Sequence, residues 1–185
     1  MDAVLDDLAE ALGALDPMVA ALTAPEWSRP TPCSAWTVRD VVAHLTTGHE
    51  IAAAIVRATP VPARDSADEE RPAAHRAAAY EVLAAFGEPC VLTRSYRLPL
   101  GTVPGAVAVQ LRTVEALVHG WDLAEATARS LAVREELAGR ALAFATGMRA
   151  RLPPGRTPFA PARPVSASDS AMGRLVSLLG RGPLR

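Results

Sequence analysis

Lysine is absent from this 185-residue chain: all 19 basic side chains are arginine, set against 20 acidic ones for a formal net charge of −1. No basic block or stripe stands out, so the electrostatic footprint of a nucleic-acid binder is missing. The lack of lysine fits a GC-rich coding sequence rather than a binding function. Cysteine is also scarce. Cys33 and Cys90 are too few for a disulfide scaffold. Aromatics make up only 4% of the chain, and the abundance of Ala and Leu over β-branched residues favours helices over sheets. No apolar run reaches the ~18 residues of a membrane span. The opening MDAVLDDLAEALGALD is acidic and amphipathic, unlike a signal peptide. No internal repeat is found. These absences predict a soluble cytoplasmic protein with reduced thiols and, at this length, a single hydrophobic core.

What is present is helical periodicity. Val4, Leu5, Leu8, Leu12, Leu15, Met18, Val19 and Leu22 recur at helical spacing and predict a helix over about residues 2–23. Pro25, Pro30 and Pro32 end it. Thr37 is a good N-cap with Asp40 three residues on, predicting a second helix from there to about Ala58. A third is predicted from Pro72 to Phe86, with Gly87 near its end. The loop 88–105 can hold a short extended piece at Val91–Leu98. Further helices are expected over about Val103–Thr127, Val133–Arg151 and Asp169–Leu179. The expected architecture is an all-α four-helix bundle over 1–151. Residues 152–185 add a proline-rich connection and a short C-terminal helix packing on the same domain.

The stretch 111-LRTVEALVHGWDLAEAT-127 has almost no wet face, yet it holds Glu115, His119 and Asp122. At ~100° per residue these three fall within an arc of roughly 60°, bordered by Leu111 and Val118. An ionised carboxylate on a packed face is costly unless it is paired or metal-bound. One solution is a buried network with an arginine from another helix. The other is a metal site completed by a second helix. His44 supplies the missing donor, aligned with Val41, Gly48, Ile51 and Ile55, while Arg39, Thr46 and Glu50 mark the expected solvent side. Gly48 is expected to leave space beside the imidazole. Two histidines and one carboxylate on facing helices form a three-ligand set with open positions. Such a set is typical of catalytic zinc and compatible with nickel or iron.

The remaining candidates carry weaker signals. His49 is turned about 140° from His44 and cannot share its site. His75 aligns with Ala79, Val82 and Phe86 as a core or boundary histidine. Cys33 lies before a helix start, where a thiol's pKa can fall, although a small buried residue in a tight turn is the plainer reading, as for Cys90. Trp27, Trp36 and Trp121 read as packing around the bundle mouth, with Trp121 also a candidate pocket wall.

The runs 27-WSRPTPCSAWTVRDVVAHLTTG-48 and 115-EALVHGWDLAEAT-127 resemble the mycothiol-dependent maleylpyruvate isomerase N-terminal-domain family, within the DinB-like metal-binding helical bundles. The tail 159-FAPARPVSASDSAMGRLVSLLGRGP-183 resembles the ending of a single-domain actinobacterial branch of that family. The resemblance implies a DinB-like four-helix bundle with additional C-terminal helices and divalent-metal ligands at His44, Glu115 and His119. It also implies a catalytic role for the acidic residue Asp122, as orienter or proton acceptor, for which a structural hydrogen-bond role is an equal alternative. Full isomerases of the family bring an arginine from a further C-terminal domain. This chain is expected to lack that domain, and Arg181 in its tail receives no assigned role.

The expected activity is accordingly metal-dependent chemistry with mycothiol as cosubstrate, by transfer or addition to a small electrophile. Zinc is the preferred ion. The alternatives are a non-catalytic metal- or thiol-binding module and a bundle that simply pairs with itself as a homodimer. Neither nucleic acid nor membrane is expected as a partner.

Overall fold

The computed structural model describes residues 2–33, 35–61, 72–98, 101–151, 160–166 and 169–182. Six helices dominate: α1 (Ala3–Ala20), α2 (Val38–Arg57), α3 (Pro72–Phe86), α4 (Gly105–Thr127), α5 (Glu135–Arg151) and α6 (Ala171–Leu178). This is the expected all-α bundle. Helix α4 packs on α1 and α2, and α3 packs on the same two, so α1 and α2 occupy one diagonal of a four-helix square. Helix α5 lies against α4, and α6 against α5. Leu8, Leu15, Leu45, Phe86, Leu117 and Leu123 are fully buried where the four helices converge. Leu175, Val176 and Leu179 extend the same apolar cluster. Among the described residues no helix is long and apolar enough to cross a membrane.

Local chemistry sets the helix ends. The Thr37 side chain caps α2, and Asp40 returns the bond to the Thr37 backbone at 2.8 Å, which satisfies two otherwise orphaned donors. Helix α1 stops at Ala20, and a 3₁₀ turn over Ala24–Ser28 follows. Glu26 of that turn is held by Arg129 through two bonds of 2.8 and 3.0 Å, tying the turn to the end of α4.

Two expectations need correction. The segment before α4 is a β-hairpin rather than one extended piece: β1 (Ser95–Leu98) pairs antiparallel with β2 (Gly101–Pro104), and α4 begins at Gly105 rather than Val103. Backbone bonds from Gly105 to Arg94 and from Ala106 to Leu92 close the hairpin onto the helix start. The expected wet side of α2 holds at Arg39, which is exposed, but not at Thr46. Thr46 is buried, whereas Ile51 is 38% exposed. Packing between α3 and α4 centres the buried arc on Val42, Leu45 and His49, so His44 sits at its margin. The proline-rich connection lies outside the described residues over 152–159.

Candidate metal centre

Helix α4 carries Glu115 and His119 one turn apart, and α2 brings His44 across to them. The Nε2 of His44 lies 3.0 Å from Glu115 Oε2, and the Nε2 of His119 lies 3.4 Å from the same oxygen. One ligand atom from each residue falls within 4.8 Å of the other two. Ligands around a tetrahedral ion at ~2.0–2.2 Å stand roughly 3.3 Å apart, so the spacing and the donor set suit a divalent ion.

The orientation of His119 suits it as well. Its Nδ1 lies 3.0 Å from Asp122 Oδ2, and a carboxylate can only accept, so the Nδ1–H donates to it. In the neutral ring this leaves the Nε2 lone pair aimed at the Glu115 oxygen. Two electron-rich atoms then face each other, an arrangement that a proton or a cation must bridge. Without a metal the proton takes that place. Burial alone would lower the His119 pKa, but its bonds to Asp122 and Glu115 raise it overall. Burial would likewise raise the Glu115 carboxyl. The bonds from His119 and His44 and the charge of Arg112 outweigh this and hold it well below the usual carboxylate range.

Three surrounding residues, Trp36, Arg112 and Arg181, escaped sequence reasoning or were given another role. Trp36, not Trp121, forms the aromatic wall. Its ring lies 4.6 Å from His44 and 5.5 Å from His119 between centroids. The proline-rich turn is built to hold it there: the Trp36 carbonyl accepts from the Thr31 backbone and from the Thr31 hydroxyl, at 3.1 and 2.8 Å. Trp121 is partly buried against the apolar core, the packing role expected of it. The P-T-P-C-x-x-W signature just before the His44 helix was the signal available.

Gly48 does leave space, but the Arg112 guanidinium fills it. A Cβ at Gly48 would come within 2.2 Å of Arg112 Nη1. Arg112 Nη2 reaches Glu115 Oε2 at 3.5 Å.

Arg181 reaches the same mouth. Gly180 takes a left-handed backbone at φ 83°, and a Cβ there would strike Ala160 at 2.5 Å, so glycine both makes the turn and lets the tail dock. The turn delivers Arg181, whose Nε lies 3.7 Å from Asp122 Oδ2 and whose Nη2 is 4.0 Å from Cys33 Sγ. Asp122 is fully buried.

The other candidates stay outside the cluster. His49 is buried in the core. His75 is buried too, with Nδ1 3.2 Å from the Thr46 hydroxyl. Burial raises the Cys33 thiol rather than lowering it, only partly offset by Arg181. Cys90 is exposed, not buried, and sits in a left-handed turn at φ 63°.

The fold and the site define the class: a helical bundle with a His–Glu–His cluster, a candidate metal centre, at the mouth between two facing helices. Within that class the particular family follows from comparison. Residues 8–124 match the profile of the mycothiol maleylpyruvate isomerase N-terminal domain, and the chain belongs to that family. The uncharacterised protein Rv0738 of Mycobacterium tuberculosis strain ATCC 25618/H37Rv is 38% identical over 169 residues, spanning 89% of this chain and 90% of its own. Its counterpart in strain CDC 1551/Oshkosh matches equally. Among solved structures, mycothiol-dependent maleylpyruvate isomerase shares the fold at a TM-score of 0.56 with 17% identity. A histidine-to-alanine mutant of it gives 0.57 with 15% identity. Each alignment covers 76% of this chain, which spans 66% of the solved isomerase chain, just under two thirds.

Proposed function

We propose that the protein binds a divalent metal, most readily zinc, through His44, Glu115 and His119, and uses it with a low-molecular-weight thiol, mycothiol. The reaction would be transfer or addition of that thiol to a small electrophile. The observation that carries this reading is the convergence of three donor atoms from two helices within 4.8 Å. Nickel and iron suit the same donors. A bound ion would stabilise the thiolate form of a coordinated thiol near neutral pH.

The chain's own residues do the rest. Asp122 fixes the His119 tautomer through Nδ1 and so keeps Nε2 free as a donor atom. Trp36 covers both imidazoles, which restricts water on that side. Arg181 places positive charge beside Asp122 at the mouth, suited to holding an anionic group. With both contacts in place, Asp122 serves as an orienting carboxylate that can also accept a proton from an incoming thiol.

The test is elemental analysis of protein purified without chelator, followed by turnover of mycothiol with a panel of electrophiles. Stoichiometric metal, with metal and turnover both lost in His44→Ala, is the expected result. Full turnover by metal-free protein overturns the reading. Tight thiol binding without product would assign a non-catalytic binding module instead.

A further inference from the structure

A second feature adjoins the cluster at Glu115, and neither Trp36 nor Arg181 lines it. A cavity of about 360 Å³ lies among α2, α4 and β1, with Phe86 of α3 and Met148 of α5 completing its walls. That volume falls within the range of small-molecule sites, roughly 300–1,000 Å³. Its lining is apolar almost throughout, with Ile51, Ile55, Leu98 and Leu111 contributing. Among the described residues three ionisable side chains line it: Arg112, Tyr96 and Glu115.

Two of those three carry a buried polar atom without a hydrogen-bond partner. Arg112 Nη1 and the Tyr96 hydroxyl are both buried without any hydrogen bond. The one ionic contact of Arg112, at 3.5 Å, goes to Glu115 Oε2, an oxygen already engaged at 3.0 Å by His44. A buried guanidinium with a shared and distant counter-ion is costly, and an apolar residue would fill the space at lower cost. The backbone has instead been cleared for it at Gly48, where any Cβ would collide with Nη1. Arginine offers a planar fork that pairs two-to-two with a carboxylate, and a phenol hydroxyl can donate a further bond.

We propose that this cavity binds a small monocarboxylic acid with a hydrocarbon body. Its carboxylate sits on Arg112 and the Tyr96 hydroxyl, and its chain lies along the apolar wall. Because Glu115 lines the same cavity, the carboxyl end of the ligand lies next to the His–Glu–His cluster. As a description of the electrophilic substrate, this rests on the thiol chemistry proposed above; as a binding site, it does not.

The test is calorimetric titration of the full chain, before and after chelator treatment, with hexanoate and with hexanamide. The two probes share a body and differ in charge. Saturable one-to-one binding of hexanoate, at least tenfold tighter than hexanamide in the chelator-treated protein, is expected. Arg112→Gln should abolish that preference, Tyr96→Phe should weaken hexanoate several-fold, and His44→Ala should retain it. Retention in His44→Ala separates this site from the metal reading, since His44 does not line the cavity. Equal affinity for acid and amide overturns the proposal, as does no binding of either. Loss of hexanoate binding in His44→Ala or on chelation does so too, because the carboxylate would then be bound by the metal rather than by Arg112. If Arg112→Gln fails to fold, the acid–amide comparison on the unmodified chain decides the question alone.

Discussion

His44 and Glu115 stand 71 positions apart in the chain, yet their Nε2 and Oε2 atoms meet at 3.0 Å, bridging α2 and α4 at the mouth of the bundle. His119 joins the same oxygen from one turn further along α4. The contact turns two unremarkable helical residues into a shared site and makes its dependence on each side chain measurable.

Asp122→Asn should weaken metal binding by about 10–100-fold, the usual cost of losing a carboxylate that orients a ligating imidazole. His44→Ala should lose stoichiometric metal altogether. Because the His44 side chain is 38% exposed, its removal should change stability by no more than about 1 kcal/mol. Competition against a chromophoric chelator measures the first effect and denaturant unfolding the second. An Asp122→Asn variant with unchanged affinity would show that Asp122 orients nothing.

Gly48→Ala should separate stability from binding. Alanine is favoured over glycine in a helix by about 0.8–1 kcal/mol, which offsets the cost of pushing aside a flexible guanidinium. Net stability should therefore stay within about 1 kcal/mol of the parent. The added methyl must nevertheless displace Arg112 from its present place, so its pairing with Glu115 should be lost. Urea titration together with a crystal structure of the variant would check both halves.

His49→Leu should be neutral or stabilising, by up to about 1–3 kcal/mol, because both ring nitrogens of His49 are buried without a partner. Burial lowers its pKa well below the ordinary 6.5, assisted by Arg112, His75 and His44 and opposed only by Glu115. Below about pH 6.5 the unfolded chain therefore binds a proton that the folded chain refuses, and stability falls as pH falls. The variant lacks this group, so its advantage should grow on acidification from pH 7 to 5. Thermal melts across that range would show it; a constant difference would count against the assignment.

Glu26→Gln tests the turn that Arg129 ties to the end of α4. The bonds from Arg129, together with those from the Thr23 backbone and hydroxyl, lower the Glu26 pKa from 4.5 to about 2. Its stabilising contribution is thus complete above about pH 5 and disappears as pH falls toward 2. The unfolding midpoints of parent and variant should differ near neutrality and converge in acid. Midpoints that stay parallel down to pH 2 would rule out the ionised pair as the source.

Much of this architecture was legible beforehand because it is written locally. The capping of α2 by Thr37 and Asp40, the span of α3 from Pro72 to Phe86 and the shared arc of Glu115, His119 and Asp122 all depend on residues within one or two turns of each other. Thr46 was misjudged because both faces of α2 meet other helices, and helical projection cannot say where neighbours lie. The hairpin over Ser95–Pro104 was missed for a related reason: each strand is only four residues long, too short for alternation to register.

From sequence alone came the helices, their caps, the all-α class and the three donor residues, since periodicity and capping are properties of adjacent residues. Tertiary structure alone decided that Arg112 occupies the gap at Gly48, that Trp36 covers the imidazoles and that Arg181 returns to Asp122. Those contacts join parts of the chain remote from each other, and their formation depends on how the helices pack and where the tail turns, which no local pattern encodes.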